Sequence, residues 1–194
     1  MNDLKIVCEI AREAGELLKQ YSGKLASVDI SSKSASRDLV TAADIASEKL
    51  IIESLSSAFP GSGFWAEESQ ATNDDAAVQW CIDPLDGTVN FVQQLPIYAV
   101  SIARLVNGQV DLAVVYLPVL DECFSASASQ PTLLNGEEMQ VSKTHQLSDA
   151  VLATGFPYKR HVLADNNLEN FNSLFLQQRG IRRMGAAAVD LAYI

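Results

Sequence analysis

The stretch Trp80–Phe91, W-C-I-D-P-L-D-G-T-V-N-F, holds the residues whose types and spacing can do chemistry. Val78, Trp80, Cys81 and Ile82 read as a buried strand that stops at Asp83-Pro84, and Asp86-Gly87-Thr88 reads as a turn opening a short helix. Two carboxylates on either side of a proline-fixed turn can aim at one point in space. Like charges held that close repel unless a cation lies between them. Ligation by oxygen alone suits Mg²⁺ or Mn²⁺ rather than zinc. Gly87 and Thr88 stand where backbone N–H groups at a helix N-terminus bind phosphate. Metal and phosphate on one turn mean phosphoryl chemistry. A plainer reading stays open beside it: Asp-Gly is a common turn, and Asp86 or Thr88 can simply cap a helix.

The elements that must position this turn follow from periodicity. Residues 3–21 carry Leu4, Val7, Ile10, Ala11, Ala14, Leu17, Leu18 and Tyr21 at helical spacing, an amphipathic helix with a core-facing stripe and Gly23 as its stop. Residues 24–37 are Ser/Lys-rich, with a short alternating piece around Val28 and Ile30 and a segment at Ser31–Ser36 expected to be mobile unless a ligand orders it. Asp38–Asp44 leads into a helix ending near Phe59, with Ile45, Leu50, Ile51 and Leu55 as its apolar face; Thr41 is the expected N-cap and Asp44 completes a near capping box. Phe64-Trp65-Ala66 is a short strand running into Glu67-Glu68. These glutamates are either a solvated surface pair or two carboxylates returned to the corner of the Asp83–Asp86 turn.

Three strands follow at Ile97–Leu105, Gln109–Leu117 and Leu120–Ala126, with Asn107-Gly108 as a two-residue hairpin turn and Pro118 at the next connection. Val151–Thr154 is a further strand, and residues 163–179 form a helix with Leu168, Phe171, Leu174 and Phe175 inward. Ile181-Arg182-Arg183 is a short strand, and the run from Met184 to Tyr193 begins another helix. Its Gly185-Ala186-Ala187 start either packs on a sheet or lets a ligand approach the backbone.

The chain's 194 residues, 48% hydrophobic and 20% charged, suit one sizeable core in a soluble globular protein. A formal charge of −10 without a Lys/Arg cluster argues against nucleic acid or an anionic membrane as main partner. Bound cations would let such an acidic protein handle an anionic ester. Cys8, Cys81 and Cys123 form no C-x-x-C pair and read as small buried apolar residues of a reducing compartment. The polar N-terminus and the lack of a long apolar segment make the cytoplasm the expected location. His145 and His161 stand apart from the pattern.

The string D-P-L-D-G-T-V-N-F resembles the D-P-x-D-G-T-x-N-F signature of the inositol monophosphatase family of Mg²⁺-dependent, Li⁺-sensitive phosphatases. Asp38–Asp44, D-L-V-T-A-A-D, resembles the family's D-x-V-T-x-x-D segment, and Phe64–Ser69 its G-E-E-S element, with Ala66 in place of the usual glycine. Residues 182–193 are similar to its R-x-x-G-S-A-A-x-D-L-A-Y element, and Asn135-Gly136 to its L-N-G turn. Gln93-Gln94 replaces the family's histidine and glycine before Pro96, a change outside the metal ligands. Lys33 is a loose match to a family lysine near the metals.

The resemblance implies a layered α+β sandwich in two parts: residues 1–145 with an antiparallel sheet and the metal site, and 146–194 as the start of a second α/β half. It implies Glu67, Asp83 and the Leu85 carbonyl on one Mg²⁺ (or Mn²⁺), and Asp83 with Asp86 on a second. Glu68, or Asp44 with Thr88, would orient the attacking water; Gly87 and Thr88 would hold phosphate, and Gly185 and Ala187 would meet substrate hydroxyls. The implied activity is phosphomonoester hydrolysis on inositol monophosphate or a related sugar phosphate, by a homodimer. Fructose-1,6-bisphosphatase or nucleotide 3′-phosphatase activity is the runner-up. The family's W-D-x-A-A-G element, whose aspartate completes the second metal site, has no counterpart among the 194 residues. The expectation is therefore an incomplete C-terminal half, with a non-catalytic binding member as the alternative should the chain truly stop at Ile194.

Overall fold

The stripe of residues 3–21 folds as expected into helix α1 (Asp3–Tyr21), which buries Leu4, Val7, Ile10, Ala11, Ala14 and Leu18. The computed structural model describes residues 3–24, 30–32 and 39–194; Val28, Lys33, Ser34, Ser36 and Asp38 lie outside the described residues. Strands β1 (Ile30–Ser32) and β2 (Leu39–Thr41) pair antiparallel, which places Ser31 and Ser32 in a strand. Helix α2 (Ala42–Ala58) packs against α1.

The buried side of α2 differs from the expected one. It consists of Ala43, Asp44, Ser47, Glu48, Ile51 and Leu55, polar in its first half and apolar in its second. Ile45, expected in the core, is 59% exposed. Hydrophobic periodicity misplaced the stripe because half of the buried face is made of polar side chains.

Both helices cover one face of a seven-stranded sheet whose strands lie in chain order. These are β3 (Gly63–Ala66), β4 (Val78–Asp86), β5 (Ala99–Val106), β6 (Gln109–Leu117), β7 (Glu122–Ser127), β8 (Gln130–Leu134) and β9 (Glu137–Glu138). β3 runs parallel to β4, and every later pair is antiparallel. Asn107-Gly108 turns β5 into β6 with φ of 50° and 78°, and Asn135-Gly136 turns β8 into β9 with φ of 51° and 87°. Positive φ at both central residues is what a tight hairpin twisted like its strands requires.

Alternation along the strands splits the core. Val100, Ile102, Val114, Tyr116 and Cys123 join α1 and α2, whereas Ala99, Leu117 and Phe124 face Ala186 and Val189 on the other side. The second side carries α5 (Ala187–Ala192), which packs on β5 and β6. Strands β10 (Val151–Ala153) and β11 (Gly180–Arg182) pair parallel. Short helices α3 (Thr88–Val92) and α4 (Leu168–Leu174) complete the elements used below. The molecule is thus a mixed α+β fold with a helix pair, a sheet and a second helix-bearing layer.

Two further expectations are corrected. The helix expected at 163–179 shrinks to α4, entered through Asn167 in a left-handed conformation, and Leu168 and Phe175 are 50% and 53% exposed. Periodicity marks an apolar face but does not supply an element to cover it. Cys81, expected to be buried, is exposed on β4 because its neighbours Trp80 and Ile82 take the core side. Among the described residues no helix is long and apolar enough to cross a membrane.

Helix α1 lies tightly against the sheet at Gly15, where an added Cβ would stand 2.5 Å from Tyr116 Cε1 and 2.8 Å from Pro118 Cγ. Gly15→Ala gains helix propensity but overpacks a completed contact. The expected net loss is about 1–3 kcal/mol, a fall in melting temperature of roughly 2–10 °C by calorimetry. An unchanged or raised melting temperature would contradict this packing.

Candidate active site

The site is made by three chain segments that meet at one end of the sheet. Strand β4 does not stop at Asp83-Pro84 as expected; it continues to Asp86, with Asp83 opposite Ser101 and Asp86 opposite Ala99. The register shifts between these pairs, a bulge at Pro84-Leu85. Proline has no N–H for the ladder, so a bulge is where a strand tolerates it, and the bulge re-aims the flanking carboxylates. Asp83 Oδ1 accepts the Leu85 N–H at 3.1 Å. Parallel pairing sets Ala66 beside Ile82, so that Glu67 leaves β3 next to Asp83.

Glu67, Asp83 and Asp86 are electrostatically coupled. Burial first, and then the charges of Glu67 and Asp86, push the Asp83 carboxyl up to about 8, with a Glu67–Asp83 side-chain hydrogen bond acting in the same direction. Asp86 is also raised, chiefly by burial, against the lowering effect of backbone N–H donors from α5. The Ala187 N–H reaches Asp86 Oδ1 at 3.1 Å, and the Ala188 N–H reaches Oδ2 at 2.6 Å. Among the described residues no three carboxylate, imidazole or thiol groups stand close enough to form a ready metal cage.

The first turn of α2 adds the Asp44–Thr88 pair. Thr41 and Asp44 form the expected capping box: Asp44 Oδ2 accepts from Thr41 N at 2.9 Å and from Thr41 Oγ1 at 2.6 Å. The other carboxylate oxygen, Oδ1, accepts from Thr88 Oγ1 at 3.1 Å. Asp44 is only 1% exposed, and burial raises its pKa despite these donors. Cap and site role are therefore not alternatives, because one carboxylate serves Thr41 with one oxygen and Thr88 with the other.

Gly87 makes the turn between Asp86 and Thr88 with φ 94° and ψ 34°, and a Cβ there would lie 3.1 Å from Ala186 Cβ and Ile97 O. Only glycine combines that conformation with that approach. The Leu85 carbonyl lies 3.1 Å from Thr88 Oγ1. Gly185 follows Met184, whose carbonyl accepts from Asn90 Nδ2 at 2.7 Å; the same amide holds Ile97 O at 2.7 Å. Asn90 thereby ties α3 to the loop that starts α5.

The structure thus brings together Glu67, Asp83 and Asp86, joins Asp44 to Thr88, and sets Ala187 on Asp86. Ser47 and Glu48 escaped the sequence reading, and Asn90 entered it only as part of the motif, with no role. The Ser47 hydroxyl donates to Pro84 O at 3.0 Å, and Glu48 Oε2 accepts from Glu68 N at 2.7 Å. Their signal was the spacing Asp44, Ser47, Glu48, which places three polar side chains on one helix face.

A profile of the inositol monophosphatase family matches residues 2–194. This chain belongs to that family. It is 40% identical to the Nus factor SuhB of Escherichia coli K12 over 192 residues, which cover 98% of this chain and 72% of the relative. Its identity to an inositol-1-monophosphatase of Mesorhizobium japonicum is 34%, with the same coverage of both chains. The crystal structure of the extragenic suppressor protein suhB from Bartonella henselae superposes with a TM-score of 0.93 at 35% identity, covering all of this chain and 74% of that one. An IMPase/NADP phosphatase complexed with Mg²⁺ and phosphate superposes with a TM-score of 0.80 at 26% identity, covering 96% and 68%.

The donors present fit the cation of that family relative. They are hard oxygens throughout, from Glu67, Asp83, Asp86 and the Leu85 carbonyl. Three coupled carboxylates with one driven toward its protonated form are over-charged for their surroundings. A divalent cation removes that conflict.

Proposed function

We propose that this inositol monophosphatase family member hydrolyses inositol monophosphate or a related sugar phosphate with Mg²⁺ and an oriented water. The observation that carries the reading is the convergence of Glu67, Asp83 and Asp86 beside the Asp44–Thr88 pair. Glu67, Asp83 and the Leu85 carbonyl would hold one ion, and Asp83 with Asp86 a second; Mn²⁺ suits the same donors. Bound there, the ions supply charge neutralisation and a more acidic water.

The chain's own residues supply position. Thr88 Oγ1 carries one proton; giving it to Asp44 Oδ1 leaves lone pairs free to accept a proton from water. Glu68, with its backbone anchored on Glu48, would orient the same water. Gly87 and Thr88 would hold the phosphate, and Gly185 and Ala187 would lie against substrate hydroxyls. The water oxygen forms the new bond to phosphorus as the ester P–O bond breaks. One water proton stays on the inorganic phosphate. The other, given up through the Asp44–Thr88 pair to solvent, is matched by a solvent proton taken by the leaving alkoxide. No residue becomes phosphorylated; positioning and electrostatics carry the rate. A homodimer and a cytoplasmic location belong to the same proposal.

The test is phosphate release from inositol-1-phosphate, fructose-1,6-bisphosphate and adenosine 3′,5′-bisphosphate, each with Mg²⁺ and with chelator. The expected result is turnover highest on inositol-1-phosphate and abolished by chelation. Preference for either bisphosphate would transfer the assignment to that substrate class. The name of the E. coli relative supports a second reading, a Nus-factor role without required catalysis. Mg²⁺ uptake without turnover of any ester would favour it.

A further inference from the structure

We infer that Glu48 and Ser47 are positioning residues, fixing from one turn of α2 the two segments that bring Glu67 and Asp83 together for a divalent cation. The inference rests on the phosphatase reading above. Glu48 is 4% exposed and Ser47 fully buried, so neither is a solvated surface group of the helix. Glu68 lies beyond the end of β3, where the strand ladder no longer holds the backbone, and its N–H is bonded to Glu48 Oε2. Pro84 lies where the β4–β5 register breaks, and its carbonyl is bonded to the Ser47 hydroxyl. One helix turn thus substitutes for sheet pairing at both places where pairing fails. Asp44 one turn earlier does the same for Thr88. The exit of β3, the bulge of β4 and the start of α3 are thus all referenced to one face of α2.

Burying the Glu48 carboxylate, 4% exposed, costs it hydration. Its charge-assisted bond to the Glu68 N–H compensates. What the site needs from Glu48 is an acceptor at the right reach. This separates two variants: Glu48→Gln keeps the reach and loses the charge, whereas Glu48→Asp keeps the charge and loses the reach.

The test is Mg²⁺ titration calorimetry on wild type, E48Q, E48D and S47A, with hydrogen exchange at the Glu68 amide and melting temperatures taken without metal. E48Q is expected to bind Mg²⁺ close to wild type, while E48D and S47A weaken it by about 10–100-fold, the usual effect of losing a group that orients metal ligands. Glu68 amide exchange is expected to accelerate in E48D and to stay slow in E48Q. A residue with only a structural role would lower the metal-free melting temperature and leave Mg²⁺ affinity intact. Wild-type affinity in both E48D and S47A, or E48Q as weak as E48D, would overturn the inference while leaving the phosphatase reading in place. Should E48D not fold, S47A and E48Q decide by the same criteria. Absence of Mg²⁺ uptake by wild type itself would instead overturn the phosphatase reading, and this inference with it.

Discussion

Asp83→Asn is expected to lower phosphate release from inositol-1-phosphate by about a thousand-fold, corresponding to about 4 kcal/mol of lost transition-state stabilisation. Asp83 is the one side chain that the proposal shares between both cations, so its charge counts twice. Asparagine has nearly the same shape, and its carbonyl can still accept the Leu85 N–H now held at 3.1 Å. The bulge around Pro84 therefore has no reason to change. With its carboxyl pushed up to about 8, metal-free Asp83 is mostly protonated at neutral pH, and asparagine mimics that neutral form beside Glu67 and Asp86. The metal-free melting temperature is thus expected to hold or rise, in contrast to a variant that is inactive because it is unfolded. Steady-state kcat/KM at saturating Mg²⁺, read beside calorimetric unfolding, checks both halves. Full activity in the asparagine variant would sink the metal assignment, and lost activity with lost fold would leave Asp83 as a purely structural residue.

Much of this arrangement was legible in the sequence where the deciding interactions are local. The α1 stripe, the Asn107-Gly108 hairpin and the Thr41–Asp44 capping box depend on residues a few positions apart, and all three appear where the spacing put them. The grouping of Asp83 and Asp86 was likewise local. That Glu67 joins them depends on parallel pairing of β3 with β4, a long-range fact the sequence does not show. The residue reading left the return of the two glutamates to that corner open, and the resemblance implied it for Glu67.

What stayed illegible is tertiary. The bulge at Pro84-Leu85 exists because β5 pairs on both sides of it, whereas the proline alone read as a strand end. Ile45 read as core because α2 was assumed to bury its apolar residues, when its first two turns instead bury Asp44, Ser47 and Glu48. A helix that turns polar residues inward is locally inconsistent, and such inconsistency tends to coincide with function. The exposed apolar residues of α4 carry the opposite lesson: amphipathic spacing states a preference for burial and does not identify the covering surface.

Thr88→Ala is expected to lower kcat by about 10²–10⁴-fold with little change in KM, the range lost when a positioned proton acceptor is removed. Thr88 Oγ1 lies 3.1 Å from both Asp44 Oδ1 and Leu85 O, but its single proton serves only one of them at a time. The carboxylate is the stronger acceptor. With the proton directed to Asp44, the oxygen's lone pairs are left to accept from water, which is the role proposed for the pair. Alanine removes this function while leaving the Thr88 backbone in place to hold phosphate, which is why binding should survive. It also leaves Asp44 bonded to Thr41 through both the backbone N–H and the hydroxyl, so the α2 cap remains closed. The stability loss is then about 0.5–1.5 kcal/mol for one hydrogen bond. Asp44→Ala would be a poorer test, since it destroys cap and acceptor together. Thr88→Ser keeps the hydroxyl without the methyl and is expected to recover most of kcat. Pre-steady-state and steady-state rates on inositol-1-phosphate at fixed Mg²⁺ distinguish the outcomes. Wild-type kcat in the alanine variant, or a serine variant as slow as alanine, would remove the Asp44–Thr88 pair from the water-orienting role and leave it as a strut between α2 and α3.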